Sequence, residues 1–451
     1  MDSPNCGCRD PDRIRYFQHT IIWLQILVNE APIPYMSSPK KSGGIAIAFG
    51  NRAFRTYTLG SIPSTVGTWV QRLGVMWLAW TLTHSATWLG AIGFADMFPV
   101  MVVGPLAGAF ADRLDRLVVA RILQCFHMLQ SLTLVILTAT GLITIELLFA
   151  LTIVSGILVA SFQPFRQSII ANMVEGTELP AVIAVNSAVW HGSRFVGPAI
   201  AGVVIANWGV VPAFAINAVS YPIFIYALFR IQMAPRPIVL RSVAEVPREI
   251  LDGLRYAFSH RGIAPVLIIL FAMAFFGRPV MELLPGFASE VFGRGADGLA
   301  WLTSAAGLGA MITGIWFAQW GRAAWLTSLV MLSIAVLGAS LTIFALTETF
   351  WVGVVVLAIV GAASTLGGIT TQTTVQSLVV DQMRGRVMSI YGMIWIGAPG
   401  VGALLAGILA DEVGMNWPIV GTGGFCLLAW LWALTQHGII ADAQLEKQNE
   451  I

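Results

Sequence analysis

The chain has 451 residues, of which 57% are hydrophobic and only 11% are charged. A water-soluble domain is about half apolar and about a quarter charged, so this composition excludes a soluble enzyme and indicates an integral membrane protein. The formal net charge of +2 says little by itself, and we expect no nucleic-acid partner.

The first 50 residues differ from the rest of the chain because Pro, Ser, Gly, Asp and Arg surround a single apolar run, residues 20–28. That run is too short to cross a bilayer, and no small-residue cleavage site follows it as in a signal peptide. We therefore expect residues 1–50 to be a disordered cytoplasmic extension, with an interfacial helix as the alternative. Cys6, Cys8 and His19 lack a second pair of ligands, so we expect no metal site.

Apolar segments then follow one another from residue 56 to residue 436. A hydrocarbon core about 30 Å thick requires about 20 mainly apolar residues for each helical crossing. The sequence therefore predicts about twelve transmembrane helices, near residues 56–80, 87–109, 117–140, 145–165, 181–206, 210–230, 263–287, 297–319, 323–346, 350–375, 387–410 and 417–436.

The loops between these segments alternate in charge. Nearly all loop Arg and Lys residues lie on one side, many of them in the long loop between the sixth and seventh segments. The opposite loops contain one basic residue, Arg294, among several acidic ones. Because short basic loops stay in the cytoplasm, we expect a multi-pass protein of the bacterial inner membrane with both termini cytoplasmic.

Residues 232–261 are the other segment that we expect to lie outside the bilayer. A proline-rich piece is followed by apolar residues at helical spacing with charged residues between them, which predicts an amphipathic helix on the cytoplasmic surface. This linker separates an N-terminal six-helix bundle, residues 51–231, from a C-terminal six-helix bundle, residues 262–440. Residues 441–451 are then a cytoplasmic tail.

The two halves contain weak internal repeats. Gln167 after the fourth segment begins a short pattern that recurs at Gln376 after the tenth, and Pro198 in the fifth segment corresponds to Pro399 in the eleventh. Repeats at corresponding places predict an all-α integral membrane fold of two pseudo-symmetric six-helix bundles.

The loop after the second segment packs acidic and basic residues closely together: Gly108, Asp112, Arg113, Asp115 and Arg116. It resembles the signature loop of the major facilitator superfamily, Gly-x-x-x-Asp-Arg-x-x-Arg, and it occupies the corresponding place. The resemblance implies the major facilitator fold and a role for Asp112 as a latch between the halves in one conformational state. The alternative is an ordinary anchor of basic residues at the cytoplasmic face.

The fifth segment carries small or kinking residues at Ser193, Gly197, Pro198 and Gly202. Their spacing resembles the exporter-associated motif of the same superfamily, although several of its glycines are replaced. Small residues allow helices to approach closely and slide, and Pro198 loosens the helical hydrogen bonds. The alternative is routine packing of membrane helices.

Other segments, among them Phe162-Gln-Pro-Phe-Arg166 and the loop after the tenth segment with Asp381, Arg384 and Arg386, are similar to the transmembrane secretion effector branch. That branch includes enterobactin exporters and macrolide-efflux proteins. The resemblance implies export of a small organic molecule coupled to ion entry, usually of protons, by alternating access. The alternatives are an importer of a small metabolite and a non-transporting membrane sensor or assembly factor.

Five charged residues within the predicted membrane helices are the candidates for a functional role: Arg72, Asp96, Arg194, Arg278 and Glu282. Such residues are functional candidates because a charge in the bilayer is costly unless it is paired or faces water. The repeat register places Arg72 in correspondence with Glu282. We predict that Glu282 binds the coupling proton or the substrate, with Arg72 or Arg278 as its partner. A purely structural pair of Arg278 and Glu282 and charges that extend to the outer surface are the alternatives.

Two of the many tryptophans, Trp190 and Trp395, are candidates for stacking on a substrate, whereas many others belong to interfacial belts. The sequence has no phosphate-binding Gly-x-x-x-x-Gly-Lys loop and no carboxylate near a histidine at the spacing of metal ligands. We therefore expect no enzymatic activity, no cofactor and no metal ion, and we expect a monomer in the lipid bilayer.

Overall fold

The computed structural model describes residues 44–111, 114–174, 178–233 and 246–449. These residues are helical almost throughout, and none of them forms a strand. A short helix, Gly44–Gly50, precedes the first long one. Most of the 1–50 extension and the proline-rich part of the linker lie outside the described residues.

Twelve long helices form the bundle, and we number them in chain order. They are α1 (Arg52–Thr83), α2 (Ala86–Ala111), α3 (Arg116–Ala139), α4 (Ile145–Asn172), α5 (Leu179–Trp208), α6 (Val210–Arg230), α7 (Ile263–Val291), α8 (Ala296–Trp320), α9 (Leu326–Leu346), α10 (Phe350–Leu378), α11 (Asp381–Val413) and α12 (Asn416–Asn449). Eleven helices of the described chain, all except α1, are long and apolar enough to cross a bilayer.

Helix α1 is less apolar because one side of it lines a central cavity. It contains 32 residues, and at 1.5 Å per residue it is about 48 Å long, more than a bilayer core requires. Six of its polar residues face the cavity: Ser61, Ser64, Thr65, Thr68, Gln71 and Arg72. With α1 the bundle has the twelve helices predicted from the sequence.

The helices group into the two predicted halves. In the N-terminal half α1 packs against α5 and α6, and α4 packs against α2 and α3. In the C-terminal half α10 packs against α8, α9 and α7, and α12 packs against α9 and α7. The main contacts between the halves are those of α2 with α11 and of α5 with α8.

One end of the bundle is closed by the close approach of α2 and α11. A Cβ atom at Gly90 would overlap the carbonyl oxygen of Ala403, and one at Gly407 would overlap the carbonyl oxygen of Ala86. These contacts lie beside the α1–α2 loop. We call this end the opposite face, and we call the end with the Arg- and Lys-rich loops the basic face.

A hydrogen-bonded cap joins the halves at the opposite face. Asp411 of α11 accepts hydrogen bonds from Ser85 Oγ at 2.6 Å and from the backbone N–H groups of Ala86 at 2.7 Å and Thr87 at 3.0 Å. Asp411 thus satisfies the free N–H groups at the start of α2 from the other half of the molecule.

The predicted amphipathic helix is present at the basic face as Val246–Ser259, which we call the surface helix. Arg386 at the start of α11 lies 3.5 Å from a carboxylate oxygen of Asp252 and 3.8 Å from one of Glu249. The linker is thereby attached to the C-terminal half.

Prolines interrupt α7 and α11 near the cavity. Pro279 cannot donate a hydrogen bond to the carbonyl of Phe275, and the regular helix ends there before it resumes at Val280. Pro399 likewise leaves the carbonyl of Trp395 without its helical donor, and the preceding turn is π-helical. The carbonyl of Trp395 is therefore available to a side-chain donor.

Candidate functional site

A cavity of about 500 Å³ lies between the two halves. Its lining extends to Tyr57 of α1, Arg166 of α4 and Gln372 of α10, each within about two helical turns of the helix end at the basic face. Its inner end lies near the middle of the bundle, below the contacts of α2 with α11. All seven membrane residues that the sequence singled out line this cavity: Arg72, Asp96, Trp190, Arg194, Arg278, Glu282 and Trp395.

Arg72 lies at the inner end of the cavity between two carboxylates. Its Nη1 is 2.7 Å from Oδ2 of Asp96, and its Nη2 is 2.7 Å from Oε1 of Glu282. The Glu282 side chain is only 4% exposed. Because Arg72 and Asp96 belong to the N-terminal half and Glu282 to the C-terminal half, this ion-paired cluster bridges the halves.

Of the two partners predicted for Glu282, the structure shows Arg72. Arg278 is one turn from Glu282 in the sequence, but the break at Pro279 separates them in the helix. Arg278 instead donates a hydrogen bond to the carbonyl of Trp395 and lies 4.7 Å from the centroid of that ring. It forms no ion pair with a described residue.

Arg194 of α5 also lacks an acidic partner. Its guanidinium lies 5.7 Å from the ring centroid of Trp69, and Arg72 lies at the same distance from that ring. Arg194 forms no hydrogen bond or ion pair with the residues that the structure describes. The aromatic face of Trp69 is thus a favourable contact for this charge, and Glu282 attracts it from beyond ion-pair distance.

Nearer the basic face, Arg166 donates a hydrogen bond to Asn186 Oδ1 at 3.0 Å and lies 5.0 Å from the ring centroid of Trp190. Trp190 in turn packs edge-to-face against Trp69 with 5.9 Å between the centroids. Sequence reasoning missed Arg166 and Trp69 as cavity residues. The one available signal was for Arg166, which lies at the end of the Gln-Pro-Phe-Arg segment of α4.

A smaller cavity of about 90 Å³ adjoins the main one at its inner end. Arg72, Arg194, Arg278 and Glu282 line both cavities. The other walls of the smaller cavity, which we call the inner pocket, are mostly apolar side chains of α1, α2, α5, α7 and α8. The inner pocket therefore brings residues of both halves to one place.

The small residues of α5 pack against both halves. A Cβ atom at Gly197 would overlap the side chain of Trp69 on α1, and one at Gly202 would overlap the side chain of Ala300 on α8. Ser193 is buried, and Pro198 lines the inner pocket. These small residues thus allow close contacts of α5 with its own half and with the other half. The role of this motif in export stays a prediction.

The predicted latch cannot be placed in full. Asp112 and Arg113 lie outside the described residues. Asp115 caps the start of α3 by accepting hydrogen bonds from the backbone N–H groups of Leu117 at 2.9 Å and Val118 at 3.0 Å. A Cβ atom at Gly108 would meet no described atom within 4 Å, and Arg116 has a partner, so the role of this loop stays a prediction.

The candidate residues after α10 lie at the basic face and outside the cavity. Asp381 and Arg384 form an exposed ion pair of 2.7 Å within the first turns of α11, and Arg386 contacts the surface helix. The structure thus separates these residues from the cavity site.

Comparisons with known proteins agree with this architecture. The sequence model of the transmembrane secretion effector family matches residues 45–448. The staphyloferrin A transporter of Staphylococcus aureus is 24% identical over 366 residues, which are 80% of this chain and 91% of that protein. Macrolide efflux protein A of Streptococcus pyogenes is 21% identical over 82% of this chain and 92% of that protein. The multidrug efflux pump Tap of Mycolicibacterium fortuitum is 23% identical over 79% and 88%.

Solved structures share the fold. A bacterial homologue of the human lysosomal transporter Spinster, in an inward-facing and unoccupied conformation, gives a TM-score of 0.67 at 15% identity and covers 90% of this chain and 99% of that one. The nucleoside transporter NupG, as a D323A mutant, gives 0.63 at 13% identity over 85% and 99%. The described chain has twelve long helices in two halves with a central cavity between them, and the family model matches nearly all of it. The protein therefore belongs to the transmembrane secretion effector family of major facilitator transporters.

Proposed function

We propose that this transporter exports a small organic molecule by alternating access, loading it from the basic face and releasing it at the opposite face. The observation that carries the proposal is the cavity of about 500 Å³ between the halves, a size typical of sites for drug-sized ligands. It extends towards the basic face, and α2 and α11 close the opposite face. Basic loops are retained in the cytoplasm, so the cavity faces the compartment from which an exporter loads.

The names of the relatives support export over import. Two of the three relatives above are named as efflux proteins. The cavity lies between two halves of one chain, which supports a monomer as the working unit, placed in the bacterial inner membrane with both termini cytoplasmic.

Release of the substrate requires the opposite face to open. The contacts that hold it closed include the Asp411 cap on α2, and the cluster of Arg72 with Glu282 bridges the halves at a deeper level. Both are polar contacts between halves that can break without a change inside either half. A rocking motion of two rigid halves breaks these polar contacts together with the packing of α2 against α11.

We propose the proton as the coupling ion and Glu282 as the residue that binds it. A proton on Glu282 would neutralise the one carboxylate of the C-terminal half that Arg72 contacts and would weaken the ion-paired bridge. Protonation would thus favour the change of state that the cycle requires. Asp96 would keep Arg72 paired within the N-terminal half.

The test is transport in everted membrane vesicles, in which the basic face is turned outwards. We expect a panel of siderophores and drugs to include compounds that accumulate inside when respiration acidifies the lumen. We also expect a protonophore to abolish that accumulation. Vesicles without the protein are the control. Accumulation only in right-side-out vesicles would indicate import, and accumulation that is insensitive to the protonophore would remove the proton from the mechanism.

A further inference from the structure

The charges of the central cavity do not balance. Four arginines and two carboxylates line it, so the lining carries a formal excess of two positive charges: Arg72, Arg166, Arg194 and Arg278 against Asp96 and Glu282. Both carboxylates are held by Arg72. Arg72 and these two carboxylates together carry a net charge of −1, and the other three arginines carry +3. At the inner end Arg194 and Arg278 outweigh the cluster and leave a net charge of +1.

Neither arginine at the inner end has an anionic partner in the described chain. Arg278 uses one N–H group on the carbonyl of Trp395 and places its charge over that ring. The Arg194 side chain lies over the face of Trp69 and forms no hydrogen bond or ion pair with a described residue. Since an unpaired charge within a membrane protein is unfavourable, such residues mark sites where a ligand supplies the missing partner.

Hydrogen-bond donors also exceed acceptors around the inner pocket. Arg194 offers five N–H groups, none of which bonds to a described residue. The indole N–H of Trp69 is buried and has no acceptor among the described residues. The hydroxyl of Thr303 donates to the carbonyl of Leu299 in its own helix. A ligand that fits this surface must bring acceptors, and a carboxylate brings two in a plane that matches the guanidinium fork.

The space fits the same group. The inner pocket of about 90 Å³ exceeds the roughly 15 Å³ that one water molecule requires by this measure, so it has room for a carboxylate. The main cavity continues from it past Trp190 and Trp395. The two volumes together suit a molecule with an acidic end and an apolar or aromatic body.

We propose that the substrate is an organic anion whose carboxylate binds between Arg194 and Arg278 in the inner pocket and whose apolar body lies in the main cavity. This inference rests on the proposed export function and names the class of molecule that is carried. Arg194 belongs to α5 of one half and Arg278 to α7 of the other, so an anion bound between them contacts both halves.

The proposal can be tested by binding to the purified full chain in detergent. The probes are two matched sets, each with one aromatic body and three end groups. One set is 2-naphthoic acid, 2-naphthamide and 2-naphthylmethylamine, and the other is the same three derivatives of biphenyl. We expect isothermal titration calorimetry to give the acids an affinity at least about tenfold above that of the amides, because charged hydrogen bonds replace neutral ones. The amines should bind more weakly than the amides.

Substitution of the two arginines sharpens the test. Arg194→Gln and Arg278→Gln should each remove most of the preference for the acid and leave amide binding unchanged, and Arg278→Lys should restore part of it. Arg294→Gln is the matched control, because this half-exposed arginine lies at the opposite face. Thermal unfolding of each variant shows whether it is folded. Equal binding of acid and amide by the wild-type protein, stronger binding of the amine, or no binding of any probe would overturn the proposal.

The same probes separate this inference from the proposed function. If vesicles accumulate neutral or cationic compounds without any preference for acids, export stands and the anionic class is wrong. If the acids bind through Arg194 and Arg278 but never accumulate in vesicles under any gradient, the anion site stands and export is wrong.

Discussion

At the scale of single residues, Arg72 determines the charge balance of the site. Its guanidinium pairs with Asp96 and with the almost fully buried Glu282, each at 2.7 Å. Removal of one partner from a buried ion pair leaves an uncompensated charge, which costs about 3 to 5 kcal/mol. Arg194 forms no ion pair with a described residue, so its removal leaves no carboxylate without an ion-pair partner.

We therefore expect Arg72→Gln to lower the midpoint of thermal unfolding clearly and Arg194→Gln to leave it unchanged or to raise it. The reason is that only the first substitution leaves two carboxylates without their partner. Both purified variants can be measured in the same detergent by intrinsic fluorescence. Equal losses in the two variants would mean that the contact of Arg72 with Glu282 does not stabilise the bundle.

Glu282→Gln tests the proposed proton site. Glutamine keeps the size of the side chain and can still accept a hydrogen bond from Arg72, but it cannot take up a proton. We expect the variant to bind substrate and to lose transport driven by the proton gradient. Glu290→Gln is the matched control, since Glu290 is an exposed residue further along α7. Transport by Glu282→Gln at the wild-type rate and with the wild-type gradient dependence would leave this residue a structural role only.

The sequence named Arg72 as one of two candidate partners of Glu282, because the repeat register relates α1 to α7 and a pseudo-symmetric fold brings equivalent helices together at its centre. It did not predict Arg166 or Trp69 as cavity residues. In the sequence, Arg166 is a basic residue of a predicted cytoplasmic loop, and Trp69 is one of many tryptophans. Which side of a helix faces the cavity depends on how the helix packs against its neighbours, and hydropathy alone does not specify that.

At the scale of helices, the contact of α2 with α11 closes the opposite face. Glycines let the two backbones approach closely, and such contacts gain their energy from packing and are lost when the helices separate. Asp411 adds charged hydrogen bonds to the first turn of α2. In the proposed cycle these bonds exist only while the opposite face is closed, and Asp411 then stabilises that state over the other.

We expect Asp411→Ala to shift the protein towards the state that is open at the opposite face. Loss of a helix N-cap costs about 1 kcal/mol, which raises the open population about fivefold. In a chain with its four native cysteines replaced by serine, Met281→Cys in the inner pocket can report opening through its reaction with an impermeant thiol reagent added at the opposite face. Asp297→Ala, an exposed residue at the same face, is the control. Unchanged labelling after Asp411→Ala would mean that the cap does not bias the closed state.

Helix positions were predicted well where a helix is continuous and apolar. The sixth crossing, predicted at residues 210–230, is α6 at Val210–Arg230. The seventh was predicted as one continuous crossing at residues 263–287, whereas α7 is interrupted after Phe275 and ends in a π-helical turn. Hydropathy measures the number of apolar residues in a segment. Interruptions depend instead on whether a neighbouring side chain satisfies the freed backbone groups, as Arg278 does for Trp395.

At the scale of the whole molecule, the two halves contribute different parts of one candidate binding site. The N-terminal half supplies Arg72, Asp96 and Arg194, and the C-terminal half supplies Arg278 and Glu282. A ligand between them bridges the halves, so its binding is coupled to their relative position. In the proposed exchange, an anion that leaves and a proton that enters move charge in the same electrical sense, and the membrane potential then acts on both.

This charge movement leads to a quantitative prediction for proteoliposomes that contain the full chain and have equal pH on both sides. A potassium diffusion potential set with valinomycin, negative on the side of the basic face, should drive an aromatic acid towards the opposite face. If one monoanion leaves for each proton that enters, two charges move, and the accumulation ratio at equilibrium should rise tenfold for about every 30 mV; if the anion moves alone, tenfold requires about 59 mV. Protein-free liposomes and liposomes with Glu282→Gln are the controls, and the variant should follow the shallower slope if it still moves the anion. An accumulation ratio that does not depend on the potential would contradict both the anionic substrate and its exchange for a proton.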